Sequence, residues 1–211
     1  MPRPLRIGVL VSGTGTNLEA ILTAIAEKRL ALEVAIVISN KQGALALERA
    51  ERAGVPTRVI PHGDYPSREA FDTALVGALR EAAVEWVVLA GFMRLITRTM
   101  LSAFPNRIVN IHPSLLPAFP GVDSQKQAFD YGVKVAGCTV HLVDEGTDSG
   151  PIVAQRAVAV LDDDDAESLR ARILAEEHRL LVDVLSAIET GRLEVVPASG
   201  NQRGRVRTRP A

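Results

Sequence analysis

Asn110 and His112 are the two residues whose types and spacing best suit catalysis. They lie in an apolar stretch with Ile108 and Val109 that predicts a buried strand, and Pro113 marks its end because proline cannot donate to a sheet ladder. Alternate side chains of a strand point the same way, so the carboxamide and the imidazole share one face. This pair suits a reaction in which a carbonyl oxygen gains charge and a proton moves. The alternative is a turn-capping Asn and a His bonded to backbone.

A glycine-containing run, GTGTN at residues 13–17, lies between the first predicted strand and the first predicted helix. Backbone N–H groups at a helix start can bind a phosphate, and glycines let it approach. A dinucleotide-binding fold would continue to a third glycine, where Leu18 stands, and would place an acid near the end of the second strand, where Asn40 stands. The run therefore suits one terminal phosphate better than NAD. The alternative is a tight strand-to-helix turn.

Asp148 is the third residue of chemical interest, in a glycine-rich turn between two predicted strands. A carboxylate there usually forms turn hydrogen bonds. If the turn folds over the strand end that carries His112, Asp148 could hold the imidazole and favour its charged form. The remaining histidines, His62, His141 and His178, have no metal-ligand spacing, so we expect no metal. We interpret His141 as an ordinary strand side chain.

The elements that must position these residues alternate between strand and helix. Strands are predicted at residues 7–11, 33–38, 56–60, 86–90, 108–112, 135–143 and 152–160, and helices at residues 18–25, 44–53, 67–83, 97–104, 124–131 and from the acidic run 162–165 to Gly191. This order predicts an α/β fold: a Rossmann-like, mostly parallel twisted sheet flanked by helices, with an antiparallel C-terminal strand pair and a long C-terminal helix. Residues 115–124 predict a loop long enough to act as a lid.

Length and composition bound the remaining possibilities. The chain has 211 residues and a net charge of −1, which gives no global attraction to nucleic acid or anionic lipid. A single cysteine and no apolar run of membrane-spanning length predict a cytoplasmic protein that binds neither nucleic acid nor membrane. We expect one domain over residues 1–195. Residues 196–211 predict a flexible basic tail, with an RNA-binding arm as the minor alternative.

Taken together, these stretches resemble the phosphoribosylglycinamide formyltransferase family of purine biosynthesis. The resemblance runs in register over roughly residues 6–190 and rests on residues 12–18, 90–94, 110–117 and 144–151. The Asn-x-His pair with a distant Asp is shared by the wider folate-dependent formyltransferase group. The phosphate loop and the short chain narrow the resemblance to the glycinamide ribonucleotide enzymes.

The resemblance implies a role for particular positions. It implies a catalytic trio of Asn110, His112 and Asp148. The implied substrate-binding residues are Gly15, Thr16 and Asn17 at the phosphate and Glu177 at the ribose, and the implied folate-binding residues are Arg68, Met93, Arg94, Leu95 and Ile96. For Glu177 the sequence alone favours a solvated helix face. The lid departs from the family, because residues 122–126 lack histidines that some members carry there.

The implied reaction is formyl transfer from 10-formyltetrahydrofolate, a consumed co-substrate, to the amine of glycinamide ribonucleotide, with no metal. The resemblance also allows a homodimer. One alternative is a formyltetrahydrofolate hydrolase, which should carry an extra N-terminal domain. A methionyl-tRNA formyltransferase should carry a further C-terminal domain. A non-catalytic nucleotide-binding module would bind ligand without turnover and without needing His112.

Overall fold

The computed structural model describes residues 3–197, 199 and 204–209. The described chain divides into two compact units, one ending at Asn110 and one beginning at Ile111. The sequence predicts a single domain over residues 1–195, and this stays a prediction.

The first unit alternates strands and helices, as predicted. Its elements are β1 (Arg6–Val11), α1 (Thr16–Ala26), β2 (Glu33–Ser39), α2 (Leu45–Arg52), β3 (Thr57–Val59), a 3-10 turn (His62–Asp64), α3 (Arg68–Glu81), β4 (Trp86–Leu89), α4 (Arg98–Ala103) and the first residues of β5 (Ile108–His112). The strands pair in parallel in the order β3-β2-β1-β4-β5. Strands buried on both faces read as continuous apolar runs, which is why β1 and β2 were recognisable in the sequence.

The second unit is built on an antiparallel strand pair and a long helix. It contains α5 (Ser124–Tyr131), β6 (Val135–Leu142), β7 (Ile152–Ala159), α6 (Ala166–Glu189), β8 (Leu193–Val196) and β9 (Arg205–Thr208). β6 pairs with β7 in antiparallel register, from Val135 opposite Ala159 to His141 opposite Ile152. Helix α6 packs on both strands and buries the predicted apolar residues, including Leu169, Ile173 and Leu180.

The predicted fold class is confirmed. The large sheet has seven strands in the hydrogen-bonded order β3-β2-β1-β4-β5-β6-β7. The pairs among the first five strands are parallel, and β6 and β7, which the sequence assigned as an antiparallel pair, are antiparallel. Side chains cap the starts of two helices. Ser67 Oγ accepts a hydrogen bond from Ala70 N at 3.1 Å, and Asp165 forms a reciprocal capping box with Ser168.

The C-terminal residues include strands where they are described, and the flexible basic tail over residues 196–211 stays a prediction. β8 and β9 form a two-stranded antiparallel ribbon, and Arg209 makes an ion pair with Glu194 at 3.2 Å. Residues 198, 200–203 and 210–211 of the predicted tail lie outside the described residues. The ribbon was not predicted because an arginine-rich sequence resembles a disordered segment. In the structure, successive side chains of β9 alternate between two faces, so Val206 points away from Arg205 and Arg207.

Candidate active site

β5 carries both residues of the predicted Asn-x-His pair. Asn110 is half-buried and pairs in register with Leu89 of β4, and His112 is 4% exposed at the strand end. Because one strand runs through both residues, the alternation of an extended chain places their side chains on the same side. That the carboxamide and the imidazole serve one reacting group stays a prediction.

His112 and Asp148 meet in the second unit, as the sequence predicts if the turn folds over the strand end. His112 Nδ1 lies 3.4 Å from Asp148 Oδ2, and the Asp148 side chain is 13% exposed. Asp148 has a φ of 50°, a left-handed conformation that Asp and Asn adopt more readily than most other residues. The backbone of the turn is thus set so that this carboxylate faces the imidazole.

The turn that presents Asp148 is held by its own side chains. Asp144 Oδ1 accepts hydrogen bonds from Gly146 N at 3.1 Å and from Ser149 Oγ at 2.7 Å. At Gly150 a Cβ atom would lie 1.8 Å from the carbonyl oxygen of Leu142, so no other residue fits there without movement of the backbone. These contacts explain why the run of Asp, Gly and Ser residues forms a compact turn at this point.

A second histidine, His141, also faces Asp148, and the sequence interpretation of it as an ordinary strand side chain missed this contact. Its Nε2 lies 3.6 Å from Asp148 Oδ1, and its Nδ1 lies 2.9 Å from the carbonyl oxygen of Leu142. The carboxylate therefore stands between two buried imidazoles. The signal in the sequence was that His141 lies near the end of the strand that precedes the turn.

These neighbours decide the protonation state of Asp148. Burial raises the pKa of this carboxyl group, but contact with His141, the hydrogen bond from Gly121 N–H and the charge of His112 lower it more. The net result is a pKa below the ordinary value, so Asp148 is a carboxylate at neutral pH. A carboxylate can orient an imidazolium and stabilise its charge, which is the role that the sequence analysis expected.

The lid loop, residues 115–124, is bonded to both members of this pair. The carbonyl oxygen of Phe119 lies 2.9 Å from His112 Nε2, and Gly121 N donates to Asp148 Oδ2 at 2.8 Å. Since a carbonyl can only accept, His112 Nε2 carries the proton in this contact. Each ring nitrogen of His112 thus faces an oxygen acceptor, an arrangement that an imidazolium with two N–H groups satisfies completely.

The predicted phosphate loop lies in the first unit. Gly15 has a φ of 74°, and a Cβ atom there would lie 2.5 Å from Ala46 Cβ, so both conformation and packing require glycine. Ala46 N donates to Gly13 O at 3.2 Å, and Arg49 Nε donates to Thr14 O at 2.9 Å. Helix α1 begins at the next residue, Thr16, and Asn17 in its first turn is buried. The loop is therefore held in place by α2.

The residues that the family resemblance assigns to folate are also in the first unit. Met93 and Leu95 are 63% and 54% exposed, and Arg94 and Ile96 are half-buried. Arg68 is exposed at the start of α3. Two large apolar side chains on one short segment provide a surface that a flat aromatic ligand could cover.

Glu177 is buried in α6 at 5% exposure, so the solvated helix face that the sequence alone favoured is wrong. Its carboxylate is close enough to Cys138 to add to the effect of burial, which raises the pKa of that thiol to about 12. Glu177 shares the buried face of α6 with apolar residues such as Ile173 and Leu180. Of the predicted site residues, the structure brings His112 and Asp148 into contact, while Glu177 and the loops lie in other elements.

Neither a metal site nor a membrane span emerges from the described residues. Within residues 3–197, 199 and 204–209, no three His, Cys, Asp or Glu side chains are grouped so that they could hold a metal ion. Over the same part of the chain, no helix has the length and apolar character needed to cross a bilayer.

Comparison with known proteins gives matches over most of the chain. A family model described as formyl transferase matches residues 5–185. The phosphoribosylglycinamide formyltransferase of Bacillus subtilis (strain 168) is 44% identical over 183 residues, which cover 87% of this chain and 94% of that protein. The crystal structure of glycinamide ribonucleotide transformylase 1 from Symbiobacterium toebii is 53% identical, with a TM-score of 0.91, and the match covers 99% of this chain and 95% of that one.

A longer relative matches as well. The trifunctional purine biosynthetic protein adenosine-3 of Drosophila pseudoobscura pseudoobscura is 47% identical over 193 residues. The match covers 90% of this chain but spans only 14% of the length of that protein.

Proposed function

The chain belongs to the formyl transferase family, and on that premise we propose that it transfers a formyl group from 10-formyltetrahydrofolate to the amine of 5'-phosphoribosylglycinamide. The observation that carries the proposal is the His112–Asp148 pair at the end of the strand that also bears Asn110. The B. subtilis relative, named for this activity, supports the choice of substrate, since its length is matched almost completely.

In the proposed reaction the amine attacks the formyl carbon and the carbonyl oxygen becomes an oxyanion. The Asn110 carboxamide and the His112 imidazolium donate hydrogen bonds to this oxygen, and one such donor is typically worth about 2.7–4 kcal/mol. Collapse of the intermediate breaks the bond to N10 of the folate, which takes up a proton as the amine loses one. Asp148 keeps His112 charged and oriented, and a water relays the proton between the two nitrogens.

The lid loop must move for this reaction to proceed. Phe119 O lies 2.9 Å from His112 Nε2, the ring nitrogen opposite the one that faces Asp148. The oxyanion has to replace that carbonyl as the acceptor, so we propose that residues 119–121 shift when the substrates bind. The family members with lid histidines could use them in this step, whereas this chain has none at residues 122–126.

Substrate binding is proposed for the remaining positions. Backbone N–H groups of Gly15, Thr16 and Asn17 would bind the phosphate at the start of α1, where the helix dipole favours an anion. Glu177 would accept hydrogen bonds from the ribose hydroxyls. The segment Met93 to Ile96, with Arg68, would bind the folate. The proposal gives no step to a metal and makes the folate a consumed co-substrate.

The partners and the compartment follow from the same proposal. We infer two small-molecule substrates, no nucleic acid or membrane partner and a cytoplasmic location. A homodimer is compatible with the proposal, which requires no residue from a second chain.

The decisive experiment is a formyl-transfer assay in which purified protein and 10-formyltetrahydrofolate are offered three acceptors: glycinamide ribonucleotide, water and methionyl-tRNA. We expect formylated ribonucleotide and tetrahydrofolate in equal amounts. Release of formate without the ribonucleotide would indicate the hydrolase. Binding of ribonucleotide without turnover, unchanged in His112→Ala, would indicate the non-catalytic module.

A further inference from the structure

Three polar side chains of the first unit form a continuous chain of hydrogen bonds that ends on the backbone of Met93. Met93 N donates to Ser12 Oγ at 2.8 Å, Ser12 Oγ donates to Asn40 Oδ1 at 2.6 Å, and Asn40 Nδ2 lies 3.2 Å from His62 Nδ1. Ser12 is 6% exposed and Asn40 is 2% exposed. Buried hydrogen bonds of this kind are protected from competition with water and hold their partners in one geometry.

The contacting atoms give each bond in the chain its direction. The Met93 amide can only donate, so Ser12 Oγ accepts from it, and the single hydroxyl hydrogen of Ser12 goes to Asn40 Oδ1. The other side of the Asn40 carboxamide is then the NH₂ group, which donates to His62. The backbone carbonyl oxygen of Asn40 also lies near this nitrogen, at 3.4 Å, and would need Nδ1 to donate. The Nδ2 contact is the shorter of the two, and in it His62 Nδ1 acts as the acceptor, with the ring proton on Nε2.

Ser12 holds the segment at a second point as well. Its own backbone N–H donates to Gly91 O at 3.1 Å. This anchoring matters because Met93 and Leu95 are mostly exposed, so the segment cannot be fixed by burying its own side chains. Ser12 holds the backbone at the start of the segment, and Asp72 holds it just after the end by accepting from Thr97 N at 2.7 Å.

His62 reaches the same segment by an aromatic route. Its ring meets the edge of Phe71 at a centroid distance of 6.4 Å, and Phe71 stacks on Phe92 at 6.4 Å with an interplanar angle of 13°. Phe92 directly precedes Met93. Aromatic contacts of this type are only loosely directional, whereas the polar route ends on one backbone N–H group.

We propose that His62 is a positioning residue for the segment Met93 to Ile96, and that it acts through Asn40 and Ser12. The proposal rests on the proposed function, which assigns this segment to the folate. By accepting a hydrogen bond from Asn40, His62 orients the Asn40 carboxamide. The oriented carboxamide then holds the Ser12 hydroxyl in the position where it accepts from the Met93 N–H group. His62 therefore controls how well the folate surface is formed without touching either substrate.

Two substitutions separate the polar route from the aromatic one. His62→Phe keeps a ring against Phe71 and removes the acceptor, and His62→Asn keeps an acceptor near the position of Nδ1 and removes the ring. A buried neutral hydrogen bond is worth about 0.5–1.5 kcal/mol, which corresponds to about 2- to 12-fold in a binding constant. We expect His62→Phe to raise KM for 10-formyltetrahydrofolate by about that factor, with KM for the ribonucleotide and kcat unchanged. His62→Asn should stay close to the wild type.

An NMR measurement on the same variants tests the proposal without requiring enzyme turnover. In a ¹H–¹⁵N NMR spectrum, the Met93 amide resonance should move upfield in His62→Phe, because its hydrogen bond weakens, and much less in His62→Asn. An unchanged Met93 resonance in His62→Phe overturns the proposal. So does an equal effect of both variants on KM, or an equal rise of KM for both substrates. If the wild type fails to transfer formyl, the proposed function fails, and the NMR comparison still decides the role of His62.

Discussion

Oδ2 of Asp148 lies 3.4 Å from Nδ1 of His112, and the same lid loop is hydrogen-bonded to both residues. Gly121 N–H donates to that carboxylate oxygen, and the carbonyl of Phe119 accepts from the opposite nitrogen of the imidazole. The pair and the loop therefore form one hydrogen-bonded unit. In the proposed reaction the loop moves, which would free His112 Nε2 for a substrate and remove the Gly121 hydrogen bond from Asp148. The Asp148 carboxylate would then be held by the two imidazoles alone among these contacts.

Substitution of either oxyanion donor should abolish most of the activity while leaving the fold intact. We expect Asn110→Ala and His112→Ala each to lower kcat by about 10²- to 10³-fold, since each removes a donor to the developing charge. The double variant should lose less than the product of the two factors, because both donors act on one oxygen. Steady-state kinetics and circular dichroism on the purified variants check this. Near-normal kcat in either single variant would contradict the proposed mechanism.

Helices and strands could be predicted where residues close in the sequence, such as a glycine at a helix end, specify the same structure that the packing requires. Helix α5 runs from Ser124 to Tyr131, as predicted, because Gly132 ends it in a left-handed conformation with a φ of 79°. The ribbon of β8 and β9 was not predictable, because a strand is recognised by alternating apolar and polar residues, and in β9 Val206 is the one apolar residue among the arginines. Its pairing with β8 depends on contacts across a connection that carries no strand signal.

In the candidate site, too, only the features set by neighbouring residues in the sequence could be predicted. The spacing of Asn110 and His112 is local, so the strand alone places them on one side. The contact between His141 and Asp148 depends on how the intervening turn folds back, and nothing in the local sequence specifies that path. Glu177 illustrates the reverse error, since a charged residue on a helix is usually solvated, and here the helix face against the sheet buries it.

Asp148→Asn should destabilise the protein in a pH-dependent way. The folded-state pKa of Asp148 lies below the ordinary value of 3.8, so its charged form contributes stability above that value and loses the contribution as pH falls through the folded-state pKa. The difference in unfolding free energy between wild type and variant should therefore be full at pH 7 and shrink below about pH 4. Urea unfolding at a series of pH values measures it. Asn is the right replacement because it also tolerates the left-handed backbone. A difference that stays constant down to pH 3 would mean that the carboxylate charge contributes nothing.

Gly15 and Gly13 should differ sharply in their tolerance of a methyl group. Gly15→Ala places a Cβ 2.7 Å from the Cα of Ala46 and forces a left-handed backbone on alanine, which costs about 1–2 kcal/mol before any clash. Gly13→Ala meets nothing within 4 Å and should leave stability within about 0.5 kcal/mol of the wild type. Thermal unfolding of the two variants measures the difference. Equal stability would contradict the packing of the loop on α2. Because of this packing, a bulky residue at Gly15 cannot serve as a specific test of phosphate binding.

Glu177 and its neighbour Glu176 form a matched pair for testing the ribose contact. Glu177→Gln keeps the size of the side chain and removes the charge, and a hydrogen bond to a charged group is worth about 1.5–3 kcal/mol. We expect KM for the ribonucleotide to rise at least about ten-fold, with KM for 10-formyltetrahydrofolate unchanged. Glu176→Gln is the control, because that carboxylate is engaged by Arg156 and Arg179 at the surface of the same helix, and it should alter neither KM. If both variants raise the two KM values to the same extent, Glu177 supports the packing of α6 and the ribose must be bound elsewhere.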